Sequence, residues 1–128
     1  MSDRSARPTR SEALSPDERL RHRREFLTCY RQGRRRHGSL LILYALPNGL
    51  PLPRLGITAS RKVGGAVLRH RLKRRIREVY RRWSGRRGLP AMDLVVHVKP
   101  AARESDFAAL QRDLEHLLKN LTRGRAGG

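Results

Sequence analysis

Cysteine is almost missing from this chain. The lone Cys29 excludes an intrachain disulfide and any zinc site built on several cysteines. No apolar run approaches the about 20 residues needed to cross a bilayer. Residues 1–10 are polar and lack an apolar stretch, so they do not read as a secretory signal. Their Arg and Ser content resembles a transit peptide only faintly. Acidic residues are few: 11, against 30 Lys plus Arg, for a formal charge of +19 over 128 residues. Lysine is scarce too. Lys62, Lys73, Lys99 and Lys119 are the four present, so 26 of the basic residues are arginine. Hydrophobic residues make up 38%, enough for one modest core, and the length fits one domain. There is no internal repeat, no P-loop spacing, no two-histidine zinc pattern and no C2H2 finger.

What is present is cationic charge, and it is unevenly spread. Arg19 to Arg36 holds eight basic residues and one acid, Glu25; Arg61 to Arg87 holds twelve and one, Glu78. From Gly88 to Leu118 the balance reverses. A charge this far from zero repels itself unless a polyanion neutralises it. Arginine's planar fork pairs with phosphate and stacks on bases. Nucleic acid is the leading partner, ahead of an anionic membrane surface or an acidic protein. A genomic arginine bias would explain the Arg-to-Lys ratio equally well, but not the net charge.

Ser15-Pro16-Asp17-Glu18 has the form of a helix start, with a capping serine, an early proline and a capping-box glutamate. Leu20, Phe26, Leu27 and Tyr30 follow, and Gly33 ends the run. The pattern leaves open one long helix or a shorter one from about Arg23. Phe26 and Tyr30, four apart, share a helical face. Leu40 to Leu46 reads as a strand ended by Pro47-Asn48-Gly49. Leu55 to Ser60 reads as a second, with Ile57 and Ala59 on a covered face and Thr58 and Ser60 on a polar one. Leu94 to Val98 is a third. There Val95 and His97 share one face, and His97 reads as packed in or against the sheet. Ser105 is a cap for a last helix carrying Phe107, Leu110, Leu114, Leu117, Leu118 and Leu121 in one stripe. Residues 1–14 and 122–128, poor in apolar anchors, read as flexible tails around a domain over 15–121.

The helix beginning after Gly64-Gly65 and running to about Trp83 is the most informative segment. At about 100° per residue, Leu68, Leu72, Ile76, Val79, Tyr80 and Trp83 fall in one arc about 120° wide. His70, Arg74, Arg77 and Arg81 lie nearly opposite. Arg69 breaks the pattern, because its direction falls inside the apolar arc, where it must snorkel or occupy a cleft mouth. It sits in the first turn, where the helix dipole favours anions, beside two glycines and after Arg61-Lys62. That combination reads as a phosphate site. Gly64 and Gly65 allow a turn at positive φ and a close approach of a sugar-phosphate backbone. Against this density of cations, no histidine stands in a hydrolase-like pattern with an acid and a nucleophile. The basic blocks also lack the clustered carboxylates that two-metal nuclease chemistry needs.

Residues 61–82 carry a resemblance. They are similar to the signature helix of the bacterial ribonuclease P protein family: basic-basic-x-Gly-x-Ala-Val-x-Arg-Asn-Arg-x-Lys-Arg, then Arg-Glu and an aromatic. Lys62, Gly64, Ala66, Val67, Arg69, Arg71, Lys73, Arg74, Arg77 and Glu78 match, with Tyr80 in the aromatic place. Glu25-Phe26, Tyr30 and Gly33 resemble the family's first helix, Arg54 to Ser60 its strand into the signature, and Asp93 to Val96 with Lys99-Pro100 its last strand and exit. The resemblance covers residues 18–121. His70 and Gly65 depart from it, each standing where asparagine is usual.

The resemblance implies an α+β single domain: a four-stranded, mostly antiparallel sheet, about three helices and a left-handed β-α-β crossover. Patterning alone supports three of those strands. The resemblance further implies an endoribonuclease that works as a ribonucleoprotein. Its catalytic RNA uses magnesium to remove the 5′ leader of precursor tRNA, and the protein alone is inactive. Arg61, Lys62, Arg69, His70, Arg71, Lys73, Arg74 and Arg77 are then expected on the catalytic RNA. Phe26, Tyr30, Tyr44, Thr58 and Ser60 are expected on the leader, with Gly64 and Gly65 at the turn. Catalytic side chains, a tightly bound cofactor, a membrane and an obligate protein partner are not expected; metal sites on the protein are left open. A cytoplasmic location is expected. A ribosomal or general RNA-chaperone protein is the alternative, with a membrane-surface or acidic-protein binder and a stand-alone nuclease further behind.

Overall fold

A computed structural model describes residues 14–127, with side chains described through residue 121. Helix α1 spans Arg23–Gln32, α2 Ala66–Arg82 and α3 Phe107–Gly127; strands are β1 Arg34–His37, β2 Leu41–Pro47, β3 Arg54–Ala59 and β4 Met92–Val98. The sheet order is β1-β2-β4-β3. β2 is antiparallel to β1 and β4, whereas β3 and β4 are parallel neighbours joined through α2, which makes a β-α-β unit. The fold is thus α+β, with a mostly antiparallel sheet.

β4 is central and dry on both faces from Leu94 to Val96: Leu94, Val95, Val96 and also Val98 are at most 1% exposed, while His97 is half-buried. A strand covered on both sides needs no alternation, and its sequence shows none. One face joins Leu41, Leu43 and Leu55 to Leu72, Ile76, Val79 and Tyr80 of α2 and to the leucine stripe of α3. Val95 points the other way and packs with Cys29 and Leu20, flanked by Phe26, Tyr30 and Tyr44. Burying each large aliphatic side chain contributes about 1.5–3 kcal/mol, so the two helix layers on the first face dominate stability.

Several local expectations change. The Ser15 capping box forms, but it caps only a 3-10 turn, Pro16–Glu18, and α1 starts afresh at Arg23. Leu14, grouped by sequence with the tail, is buried in the main core. The expected tail over 1–13 and the side chains of 122–128 lie outside the described residues, while the α3 backbone continues past 121 to Gly127. The fourth strand is Arg34–His37. It has no apolar residue to signal it, because it is an edge strand paired only with β2. Asp106, not Ser105, caps α3: its Oδ1 accepts the Ala109 N–H at 2.8 Å, whereas Ser105 Oγ donates back to the Ala102 carbonyl. Phe107 is not in the core but exposed, under the Arg75 guanidinium at 5.7 Å. β3 ends at Ala59, so Ser60 belongs to the following turn.

The β1–β2 connection is held by a charge on α3. Asp113 accepts N–H groups from Ser39, Leu40 and Leu41 at 2.9, 2.9 and 3.0 Å. Lys99 Nζ donates to the Gly38 carbonyl at 2.6 Å. A polar edge strand with little burial of its own depends on such a clamp. Asp113→Ala is expected to cost about 1.5–3 kcal/mol, the usual worth of hydrogen bonds to a charged group. Denaturant midpoints check this, and an unchanged midpoint contradicts it.

Candidate nucleic-acid interface

The residues singled out by sequence fall on two surfaces, one on each side of the sheet. On the α1 side, Phe26 and Tyr30 are both half-buried, with their rings against the sheet. Gly56 makes this possible: a Cβ there would stand 2.5 Å from the Phe26 ring and 3.1 Å from Leu20 Cβ. Tyr30 meets Tyr44 edge to face with centroids 4.7 Å apart. Its hydroxyl lies 2.7 Å from Thr58 Oγ1, which lies 2.9 Å from His97 Nδ1. Phe26, Tyr30, Tyr44 and Thr58 are therefore brought together as expected. Ser60 is exposed beyond the strand, its Oγ accepting the Lys62 N–H at 3.3 Å, and it is tied to the signature turn instead.

Three charged residues anchor this side, and sequence patterning does not reveal them as a set. Arg54 grips Asp93 with two bonds of 2.8 Å and reaches Glu25 at 3.1 Å. Glu25 uses its other oxygen to accept the His22 N–H at 3.2 Å, at the start of α1. The residue next to Phe26 thus fixes α1 to β3 and β4. Burial raises the Glu25 carboxyl, but the His22 N–H and the Arg54 charge outweigh it and hold the group below its ordinary value of 4.5. Arg54 is pushed upward, first by its bonds to Asp93. Cys29 is fully buried, its thiol directed to the Tyr44 and Asp93 carbonyls and pushed up to about 11 by burial and then by the Asp93 charge. Such a thiol is inert.

The second surface is α2. Its buried arc is as the periodicity predicts for Leu72, Ile76, Val79 and Tyr80; Leu68 and Trp83 at the ends are half-buried. Arg61, Lys62, His70, Arg71 and Arg74 are exposed, and Lys73 and Arg77 half-buried. A groove of about 500 Å³ is lined by Arg71, Arg74, Arg75, Arg77, Glu78 and Arg81. Glu78 is its single acid and faces Arg82 at 3.4 Å and Arg81 at 3.8 Å. Burial, then the charges of Arg19 and Arg74, depress Arg77 below its ordinary value. A guanidinium hemmed in by other cations is suited to a phosphate partner. Arg69 is half-buried, and its Nε is buried without a hydrogen-bond partner. That is the strain expected of a cation inside the apolar arc. Gly64 adopts φ +152, where a side chain is disfavoured and a Cβ would meet Leu68 at 2.8 Å. Gly65 needs no such freedom: it has φ −72 and open space around it. One glycine, not two, is required by the backbone.

Among the described residues, no three His, Cys, Asp or Glu side chains gather in a way that could hold a metal ion. No helix of the described residues is long and apolar enough to cross a membrane. Fold and surface together define an α+β protein with a cationic helix and a half-buried aromatic cluster on opposite sides of one sheet.

Comparison with known proteins assigns the family. Residues 14–122 match the Ribonuclease P family model. The chain is 40% identical over 114 residues to the ribonuclease P protein component of Desulfovibrio desulfuricans, covering 85% of this chain and 86% of that one. It is 39% identical over 124 residues to that of Streptomyces griseus, covering 88% and 98%. The solved ribonuclease P protein from Thermotoga maritima superposes with a TM-score of 0.72 at 35% identity, over 80% of this chain and 96% of that one. One from Staphylococcus aureus gives 0.73 at 31%, over 80% and 93%. The chain belongs to the bacterial ribonuclease P protein component family.

The Glu25 network has a pH signature. A carboxyl lowered in the folded state lends stability that is complete above its unfolded value of about 4.5 and fades as pH falls through its lower folded value. The melting temperature is expected to drop with acid below that point, and the drop to be shallower in Glu25→Gln. Identical acid profiles for the two proteins would remove Glu25 from the anchor.

Proposed function

We propose that this protein is the RNA-binding subunit of ribonuclease P and acts by positioning, while its catalytic RNA carries the chemistry. The α2 surface, with Arg61, Lys62, Arg69, His70, Arg71, Lys73, Arg74 and Arg77, joins the catalytic RNA. The α1 cleft, with Phe26, Tyr30, Tyr44 and Thr58, holds the single-stranded 5′ leader of precursor tRNA. Ser60, exposed in the turn after β3, belongs to the same leader-binding set. Magnesium serves the hydrolysis and is organised by RNA. The protein's own part is to bind and orient. The proposed workplace is the cytoplasm, without a membrane or an obligate protein partner.

The observation that carries this reading is the α2 groove: Arg71, Arg74, Arg75, Arg77 and Arg81 line it with one carboxylate among them. In water such a face repels itself; on a phosphate backbone it releases counterions and gains affinity. His70 keeps a hydrogen-bonding ring where the family has an amide.

Two measurements test the two surfaces separately. Arg69→Ala and Arg71→Ala should weaken assembly with the catalytic RNA. Each phosphate deprived of its arginine should lower the salt dependence of binding by about one unit. An unchanged slope and affinity would reject the assignment. Phe26→Leu or Tyr30→Leu keeps apolar bulk but removes an aromatic platform. Leader-bearing substrate should then lose up to about 1–3 kcal/mol per stacked base, while leaderless tRNA binds nearly as before. Equal losses for both RNAs would mean the rings serve only the fold, and a general RNA chaperone would show no leader preference at the outset.

A further inference from the structure

We propose that His97 is a leader-contacting residue of the α1 cleft, held by Thr58 so that its Nε2–H is presented as a donor to an unpaired nucleotide. The inference rests on reading that cleft as the leader site. Its basis is a short polar chain in an otherwise apolar and aromatic cluster. Tyr30 Oη and Thr58 Oγ1 are 2.7 Å apart, and Thr58 Oγ1 and His97 Nδ1 are 2.9 Å apart. Thr58 has one hydroxyl proton, so the chain runs in one direction at a time. A phenol is the stronger donor and a neutral imidazole nitrogen the stronger acceptor. The protons therefore run from Tyr30 to Thr58 to His97. Burial disfavours the imidazolium and lowers the His97 pKa, in keeping with a neutral ring. With Nδ1 accepting, the ring proton sits on Nε2.

Among the described residues, no hydrogen bond reaches that Nε2. Among the described residues, the sole buried side-chain nitrogen or oxygen without a partner is Arg69 Nε. His97 is only half-buried, and its Nε2 is therefore not sealed off from solvent. The register sets His97 beside Thr58 on β3, with Tyr44 two residues from its partner Ile42 on β2, all on the α1 face. Its ring centroid lies 6.5 Å from that of Tyr30. The fold itself makes no use of a donor at this place: Val or Ile would fill a central-strand position with better β-propensity. A ring pinned on one nitrogen and free on the other is preorganised to meet an acceptor, and unpaired RNA offers base carbonyls, ring nitrogens and 2′ oxygens. Tyr30 would supply the stacking surface and His97 the directional bond beside it.

The test combines spectroscopy on the intact chain with binding by the reconstituted holoenzyme. Imidazole nitrogen resonances of the full-length protein should show His97 protonated on Nε2 and not on Nδ1 at neutral pH. The Nε2–H signal should move when a single-stranded RNA of leader sequence is added. His97→Leu should reduce the preference for leader-bearing over leaderless precursor by about threefold to tenfold, the worth of one hydrogen bond. His97→Gln, which retains a donor, should restore most of it. An Nδ1-protonated ring, a signal indifferent to RNA, or a His97→Leu holoenzyme with full leader preference would overturn the proposal. So would equal losses for both RNAs. If Phe26→Leu and Tyr30→Leu keep their leader-specific effect while His97→Leu has none, His97 alone is excluded. If none of the three has one, the cleft is not the leader site.

Discussion

Strand β4 has no wet face from Leu94 to Val96, and helices must therefore cover both sides of the sheet. Leu94 and Val96 are closed by α2 and α3, and Val95 by α1 with Cys29 and Leu20. From that one constraint the cationic and the aromatic surface acquire their separation. The helix that seals the larger core turns its opposite face, rich in arginine, to solvent. The helix that seals the smaller core brings two aromatic rings with it and leaves them only half covered. Neither surface can be built without the other, because both are the outer sides of layers that share one central strand.

Charge acts on this scaffold in two ways. Where the chain needs order, arginine is answered by carboxylate: Arg54 by Asp93 and Glu25, and Arg86 by Glu18 at 2.7 Å. Where the chain faces outward along α2, it is answered scarcely at all. Arg77 is flanked by Arg19 and Arg74, and Glu78 is the one carboxylate lining the groove beside them. The first kind of arginine is consumed by the fold, while the second leaves a free energy that only an added polyanion can recover. Net charge alone does not separate the two; partners do.

Much of this was legible in the chain. The period of Leu72, Ile76, Val79 and Tyr80 predicts the buried face of α2, and the same reasoning singles out Arg69 as a misfit. Phe26 and Tyr30 are placed together by their spacing, and the alternation around Thr58 predicts its face. What was hidden has physical reasons. β1 is Arg34–His37, an edge strand whose pairing is backbone to backbone, so no side-chain pattern marks it. The Ser15 capping box is real, yet it closes a 3-10 turn, since the apolar residues needed to extend a helix begin later. Arg54 and Asp93 meet through the β3–β4 register and Glu25 joins them from α1, while Gly56 matters because of a ring that lies over it from 30 residues away. His97 could be assigned to a sheet face but not to a partner, because Thr58 becomes its neighbour only when β3 and β4 run parallel.

The central claim is that the protein binds and the RNA cuts. The most direct measurement is cleavage of a precursor tRNA by rigorously RNA-free protein, and then by the same protein with its cognate catalytic RNA at low magnesium. No cutting is predicted in the first case. In the second, a single cut at the mature 5′ end is predicted, with less magnesium than the RNA needs alone, since the cationic faces offset phosphate repulsion. Efficient, site-specific cleavage by the RNA-free protein would contradict the claim.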